Sequence, residues 1–182
     1  TGPVPAQVTS PACAYAELDL RTNFTFLTGA SHPDELVSRA ATLGYRAVSI
    51  TDECTLAGVV RAHVASKAAG LHLLVGASFR LNDAAGQRLL VHARDRAGYA
   101  RLARLITLGR RRINRAKESS SRYELSLGDV EELGDGFLTT LVPGDDLALA
   151  AAPLARLRAR WADDASLGLT LHRGPDDRAR LE

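Results

Sequence analysis

The residues best suited to chemistry are two adjacent carboxylates, Asp52 and Glu53, which directly follow the apolar run AVSIT. Carboxylates at the end of a buried strand are costly unless they bind a metal ion, form ion pairs or reach water. Asp19 and Arg21 end an earlier extended segment, where residues two apart face the same side. These four side chains could form a carboxylate site for a hard metal ion or a salt-bridge cluster. An arginine is rare among metal ligands, so the residue types favour the salt-bridge cluster.

The remaining candidate metal ligands lack metal-binding spacing. The five histidines include no HxH or HxxxH pair, and Cys13 and Cys54 match no metal or redox motif. Among the histidines, only His172 follows a predicted strand in a position that suits a site. Free thiols fit a reducing compartment, so we expect a cytoplasmic protein. No apolar run reaches the roughly 18 residues of a membrane span, and no membrane partner is expected.

A second feature is the basic segment at residues 93–117, which carries nine Arg and Lys residues against one acid, Asp95. Its Leu and Ile residues form an apolar stripe, which leaves the basic side chains on exposed helix faces and in the loop that follows. One interpretation is contact with nucleic acid phosphates. That interpretation assigns DNA binding to Arg110, Arg111, Arg112, Arg115 and Lys117. The equal alternative is a solvated helix face paired with the acidic stretch 129–135. Aromatic residues are not interleaved, so base stacking is not indicated.

The elements that must position these residues alternate between strand and helix patterns. Strand patterns occur at 15–20, 46–51, 72–79, 88–93, 137–142 and 167–171, and helical patterns at 33–43, 55–69, 97–111 and 145–161. Ser31 to Asp34 has capping-box spacing, and Pro153 kinks or divides the last helix. Such alternation predicts an α/β protein with a mostly parallel sheet, whose functional residues gather at the carboxyl ends of strands.

The chain has 182 residues, 46% hydrophobic and 24% charged, which is typical of a globular protein. Residues 1–14 are rich in Pro, Thr and Ala without periodicity, so we predict a flexible leader followed by a domain at 15–182. The last residues, GPDDRARLE, resemble the first turns of a helix. A chain ending within a helix suggests a fragment whose domain is truncated at its C terminus.

Three stretches, NFTFLTGASHPDEL, ITDECTLAGVVRAHVASKAAG and RLARLITLGRRR, resemble the N-terminal polymerase-and-histidinol-phosphatase (PHP) domain of bacterial C-family DNA polymerases. The resemblance is greatest to the error-prone polymerases of damage-induced mutagenesis. It extends from about residue 15 to Glu182, and implies a PHP-type distorted (βα) barrel, incomplete at the C terminus. It also implies a much longer parent protein, a DNA-directed DNA polymerase (a nucleotidyltransferase) of DNA replication, repair and translesion synthesis.

The resemblance also identifies which positions hold metal in other PHP domains. The His-x-His pair that ends their first strand reads DLR at residues 19–21, and their Thr-Asp-His motif reads TDE at residues 51–53. A glutamate after their third strand corresponds to Ser78. Arg21 adds a fixed positive charge that repels a cation. The resemblance therefore implies no catalytic residue here and a set of degenerate metal positions: Asp19, Arg21, Asp52, Glu53 and Ser78.

The leading hypothesis is a metal-free structural scaffold domain of an error-prone DNA polymerase, without a cofactor of its own. In this hypothesis Arg21 pairs with one of the acids at the strand ends. One alternative is a metal-dependent phosphoesterase with substituted ligands, using Asp19, Asp52 and Glu53 with His172 as a further candidate. The other is a stand-alone nucleic-acid-binding module. For the parent polymerase, the resemblance implies Mg²⁺, DNA, a sliding clamp and accessory mutagenesis proteins.

Overall fold

The computed structural model of the protein describes residues 14–84, 86–113, 123–171, 174 and 177–181. The chain divides into two compact units. The described residues of the first unit fall within 14–50 and 57–74, and those of the second within 51–56 and 75–181. The segment predicted as a flexible leader lies outside the described residues except for residue 14.

The first unit contains two strands and two helices in alternation: β1 (Ala16–Leu20), α1 (Pro33–Thr42), β2 (Ala47–Ile50) and α2 (Val59–Ala69). β1 and β2 pair in parallel, and the register shifts between Glu17 and Leu20. The helices bury small and branched side chains against β2. The fully or nearly fully buried residues of this core are Val37, Ala40, Val48, Ile50, Ala62 and Leu71.

α1 begins at Pro33, as predicted, but its N-cap lies one residue from the predicted position. His32, not Ser31, is the residue that caps the helix, because Pro33 takes the first helical position, where its fixed φ is favourable. The backbone N–H of His32 donates to Glu35 Oε2 at 2.8 Å, which satisfies one unpaired donor of the helix start. After Thr42 the chain turns at Gly44, whose φ of 76° ends the helix as the sequence predicted.

The second unit contains the rest of β3 (His72–Phe79), which begins in the first unit, with β4 (Arg88–Ala93), β5 (Phe137–Val142) and β6 (Ala165–Leu167). β3–β4 and β4–β5 are antiparallel, and β5–β6 is parallel. The expectation of a mostly parallel sheet was therefore wrong for this unit. Eight residues separate β3 from β4, too few for the crossover that a parallel pair needs.

Four helices accompany these strands: α3 (Arg96–Ile113), α4 (Leu127–Leu133), α5 (Ala151–Trp161) and α6 (Asp177–Leu181). The helix predicted at 145–161 is two pieces, a short 3₁₀ turn at Leu147–Ala150 and then α5. Pro153 lies in the first turn of α5, where it removes no internal hydrogen bond. The strand predicted at 167–171 was misplaced, since β6 ends at Leu167.

The core of the second unit forms between α3 and the strands. Leu102 and Leu105 of α3 and Phe79 of β3 are completely buried. α3 comes close to the chain before β5, because a Cβ on Gly98 would lie only 2.4 Å from the Gly136 carbonyl oxygen. The α/β class predicted from the sequence is confirmed. None of the helices within the described ranges is long and apolar enough to cross a membrane.

Candidate functional site

The five predicted degenerate metal positions fall in different units. Asp19 and Arg21 belong to the first unit, and Asp52, Glu53 and Ser78 belong to the second. Both Asp19 and Arg21 take part in interactions with other residues. The pairing of Arg21 with an acid at the strand ends stays a prediction.

In the first unit, β1 carries an acid to which the sequence analysis assigned no role. Glu17 accepts hydrogen bonds from the Asp19 backbone N–H at 3.0 Å and from the Tyr15 hydroxyl at 2.9 Å. The Glu17 carboxylate raises the pKa of Tyr15 to about 12, since it stabilises the protonated phenol as a donor. Glu17 thus fixes the backbone at Asp19, near the end of β1.

The loop after Arg21 is tightly closed. Thr22 is completely buried, its hydroxyl accepts from the Phe24 N–H at 3.2 Å, and its carbonyl accepts from Thr25 N–H at 2.9 Å. A Cβ on Gly29 would lie 2.1 Å from the Thr22 carbonyl oxygen, so only glycine fits there. This packing fixes the backbone immediately after Arg21 at the strand end.

In the second unit, the segment that carries the adjacent carboxylates runs beside β3. The Ser78 N–H donates to the Asp52 carbonyl at 3.1 Å, and the Cys54 N–H donates to the Ser78 carbonyl at 2.9 Å. These bonds form a short parallel bridge between Glu53 and Ser78. Asp52 and Ser78 are each 1% exposed. Three of the predicted positions are therefore brought together, on neighbouring backbone segments.

The Glu53 carboxylate is held by two residues that the sequence analysis missed. Its Oε1 accepts from the Tyr123 hydroxyl at 3.0 Å and lies 3.7 Å from Arg80 Nε. The Tyr123 oxygen also accepts from the Arg80 backbone N–H at 2.7 Å. Burial, together with the negative charge of Glu53, raises the pKa of Tyr123 well above its usual value. Tyr123 therefore stays protonated and keeps donating to Glu53.

The sequence indicates a role for Arg80 more strongly than for Tyr123. Arg80 directly follows β3, so its place at a strand end could have been read from the sequence. Tyr123 is 70 residues from Glu53, in a stretch without periodicity, and nothing in the sequence pairs the two.

The backbone of Cys54 has an unusual conformation and is bound by Arg110. Its φ is 49°, an uncommon conformation for a residue with a side chain, and its carbonyl accepts from Arg110 Nε at 3.0 Å and Nη2 at 2.8 Å. Burial raises the pKa of the Cys54 thiol to about 11. At neutral pH the thiol is therefore protonated and is a poor nucleophile or metal ligand.

The residues of the second unit do not fit the several metal ions that PHP-type phosphoesterase chemistry requires. Such sites bridge metals with several anionic or imidazole ligands. Here Asp52 is a buried carboxylate, Glu53 is hydrogen-bonded beside an arginine, and Ser78 offers only a neutral hydroxyl, to which no described residue is hydrogen-bonded. In the described part of the chain, no group of three or more His, Cys, Asp and Glu side chains is arranged to hold a metal ion.

Some arginines of the basic segment form hydrogen bonds and ion pairs within the second unit. Arg112 donates to both carboxylate oxygens of Asp129 at 2.6 Å, as the alternative of pairing with the acidic stretch expected. This pair lowers the pKa of Asp129 to about 2, with help from hydrogen bonds of Ser126. Arg110 binds the Cys54 carbonyl, and Arg111 is exposed. Arg115 and Lys117 lie outside the described residues, as does His172. DNA contact by this set stays a prediction.

Comparison with known proteins identifies the family. The family model described as "PHP domain" matches residues 17–152. The error-prone DNA polymerase of Aromatoleum aromaticum is 50% identical over 175 residues, which cover 92% of this chain and 16% of that protein. The error-prone DNA polymerase of Pseudomonas aeruginosa is 44% identical over 169 residues, covering 93% of this chain and 15% of that protein. The chain thus spans about a sixth of the length of the curated relatives it matches.

Solved structures show the same fold at low sequence identity. An amidohydrolase from Chromobacterium violaceum, with bound sulfate and no metal, has a TM-score of 0.66 at 16% identity, with 85% of this chain and 76% of that one covered. A protein from Bifidobacterium adolescentis, assigned to the metal-dependent phosphoesterases, has a TM-score of 0.59 at 20% identity, with 94% and 82% covered. These likenesses confirm the predicted PHP-type fold. By sequence and by fold, this chain belongs to the PHP domain family.

Proposed function

We propose that this chain is the N-terminal domain of an error-prone DNA polymerase that acts in DNA damage tolerance and induced mutagenesis, and that the domain is a metal-free structural scaffold. The names of the matching relatives support the first part of the proposal. The observation that carries the second part is the engagement of the Glu53 carboxylate by Tyr123 and Arg80.

Glu53 occupies the position at which the resemblance places a metal-binding histidine. A cation bound at Glu53 Oε1 would share that oxygen with the hydrogen bond from Tyr123, whose raised pKa keeps it a donor and so reduces the negative charge that the oxygen offers to the cation. A cation at that oxygen would also approach the guanidinium of Arg80, which lies 3.7 Å from the same oxygen. Like charges at such distances repel, although the exposed part of Arg80 weakens the effect through solvent screening.

Two other predicted metal positions, one in each unit, are also unfavourable for a cation. Ser78 replaces a carboxylate with a hydroxyl that is 1% exposed, and a neutral ligand contributes much less to binding a divalent ion. In the first unit, Arg21 replaces a histidine with a permanent positive charge. Substitutions that disfavour metal binding therefore occur just after β1, at Arg21, and near the end of β3, at Ser78.

The remaining parts of the proposal concern the parent protein. DNA as the substrate, Mg²⁺ for nucleotidyl transfer, and cytoplasmic action with a sliding clamp and accessory mutagenesis proteins belong to the polymerase region. In this proposal the present domain supplies folded support and no chemistry.

Elemental analysis of the mildly purified chain tests the scaffold. We expect less than one zinc, manganese or iron ion per chain, and no phosphatase or 3′-exonuclease activity with added manganese. A variant that restores the ligands implied by the resemblance (Asp19→His, Arg21→His, Glu53→His and Ser78→Glu) serves as the matched control, and should gain bound metal. Two or more tightly held ions in the parent chain would overturn the scaffold and favour the metal-dependent phosphoesterase with substituted ligands.

A further inference from the structure

Some arginines of α3 are used inside the protein. Arg101 donates to the Asp135 carbonyl at 2.8 Å, Arg110 to the Cys54 carbonyl, and Arg112 to the Asp129 carboxylate. A guanidinium held by such bonds cannot turn to an outside ligand without leaving a protein acceptor unsatisfied. Two residues of the DNA-binding set predicted from the sequence, Arg110 and Arg112, are of this kind.

Three other arginines of α3 are available to solvent. Arg96, Arg104 and Arg111 are exposed, and none of them has a hydrogen bond or ion pair within the part of the chain that the structure describes. At 3.6 residues per turn, these positions lie within an arc of roughly 80° around the helix, about 10–12 Å apart along its axis. We call this surface the arginine face.

The side chains that lie between these arginines on the helix surface are small. The exposed residues on the same side of α3 are Ala100 and Thr107, and the Thr107 hydroxyl is turned back onto the Ala103 carbonyl at 2.8 Å. A groove of about 730 Å³ runs along part of the face, lined by Arg104, Arg111 and residues of α3 and α4. The guanidinium groups can therefore reach a ligand laid along the helix without obstruction from larger side chains.

The charge of the face is positive. The groove also contains Asp129 and Glu132, but Asp129 is neutralised by its two hydrogen bonds from Arg112. Glu132 is then the one remaining acid among the described lining residues, and it also interacts with Arg112, so Arg104 and Arg111 leave the described lining positive. An anionic ligand is attracted by this arrangement, and one that extends along α3 meets Arg96 as well.

We propose that the arginine face binds the phosphodiester backbone of nucleic acid, without reading its sequence. The inference rests on the proposed function, because it takes the polymerase's own substrate as the ligand. Guanidinium groups bind phosphate oxygens in a two-pronged geometry, and their spacing of about 10–12 Å along α3 corresponds to roughly three base-pair steps along the axis of duplex DNA. Among the described residues, the side chains between the arginines of the face are those of Ala100 and Thr107, neither of which is a large apolar or aromatic anchor. A contact made only by arginines positions a backbone and carries no base recognition.

Salt-dependent binding of the 182-residue chain to labelled duplex and single-stranded DNA tests the proposal. Arg96→Gln, Arg104→Gln and Arg111→Gln are combined in one variant. The matched control combines Arg39→Gln, Arg61→Gln and Arg158→Gln, which remove the same charge from exposed arginines elsewhere. With about 0.9 in slope for each phosphate contact, the arginine-face variant should lose up to roughly 2.7 of the slope of log affinity against log salt on duplex DNA. The control variant should keep the parent slope.

Three results would overturn the proposal: a parent chain that does not bind DNA at low salt, equal slopes for the two variants, and displacement of DNA by polyglutamate as effective as displacement by unlabelled DNA. The last result would assign the face to an acidic protein segment. If the triple variant were unstable, Arg104→Glu alone should still weaken binding more than Arg61→Glu does. Loss of DNA binding leaves the metal content unchanged, so failure here is distinguishable from failure of the scaffold proposal.

Discussion

The cluster around Glu53 and the arginine face of α3 lie in the same unit and contain charged residues, but the charges have different neighbours. Glu53 is contacted by Tyr123 and Arg80, whereas the arginines of the face have no ion-pair partner among the described residues. A charge with a protein partner mainly contributes to stability, because removing it leaves the partner unsatisfied. A charge without one contributes little to stability and stays available for a ligand.

The same contrast occurs within α3 between adjacent residues. Arg111 is exposed, and Arg112 is bound to both oxygens of Asp129. The two differ by one position, or about 100° around the helix. Local sequence composition is the same for both, so the position of α4 decides which of them binds inside the protein.

The largest effect on the free energy of unfolding is expected from Arg112→Ala. The Asp129 side chain is 10% exposed and would lose both guanidinium hydrogen bonds, so the free energy of unfolding should fall by about 2–3 kcal/mol. Urea unfolding of the variant and the parent measures this difference. Arg111→Ala is the matched control and should change stability by less than about 0.5 kcal/mol. Equal losses in the two variants would contradict the distinction between them.

The pH dependence of stability should follow the same pair. The folded state lowers the pKa of Asp129 from 3.8 to about 2, so the ionised form favours folding. This contribution is fully present above pH 3.8 and is lost as the pH falls toward 2. The difference in unfolding free energy between the parent and Asp129→Asn should therefore shrink between those two values. A difference that stays constant over this range would mean that Asp129 is not stabilised as an anion.

Tyr123→Phe is expected to lower the free energy of unfolding by less than Arg112→Ala does. The change removes one hydroxyl that bridges the Arg80 backbone N–H and the Glu53 carboxylate, and should cost about 1–2 kcal/mol in unfolding free energy. Thermal and urea unfolding measure the cost. Tyr99→Phe, which alters an exposed tyrosine of α3, is the control and should be neutral. If Tyr123→Phe were equally neutral, Glu53 would not depend on this hydroxyl, and the main support for a metal-free site would be lost.

Much of the fold could be predicted because its signals are local. β3, β4 and β5 have the bounds that their apolar runs predicted, and α1 ends where Gly44 indicated. α4 was missed because seven residues are too few for a periodic pattern, although Ser126 and Asp129 have capping-box spacing. The antiparallel pairing of β3 with β4 follows from their eight-residue connection, which the expectation of a mostly parallel sheet overlooked. The pairing of β4 with β5 depends on long-range packing, which the order of strands and helices does not specify.

The candidate site was predictable only in part, for the same reason. Asp52 and Glu53 follow an apolar run, so their place at a strand end could be read from the sequence. Tyr123, which donates to Glu53, is 70 residues away in the sequence. The apolar stripe of α3 predicts which arginines are exposed, but it does not predict which of them bind a protein acceptor. Helical periodicity identifies exposure, whereas partner choice depends on how α4 and residues 51–56 pack against α3.

The smallest expected effect on stability, and the sharpest test of the contrast, comes from Arg104→Gln. Arg104 is exposed and has no ion pair or hydrogen bond among the described residues, so the unfolding free energy should stay within about 0.5 kcal/mol of the parent. The salt slope of duplex DNA binding should nevertheless fall by about 0.9, since one phosphate contact is lost. Arg112→Gln should show the reverse, with lower stability and an unchanged slope once measurements are restricted to conditions where the variant is folded. Urea unfolding and DNA titrations on the same two preparations make the comparison. If Arg104→Gln were destabilising, or if Arg112→Gln lowered the slope while folded, then the separation between arginines that hold the protein together and arginines that bind outside it would be wrong.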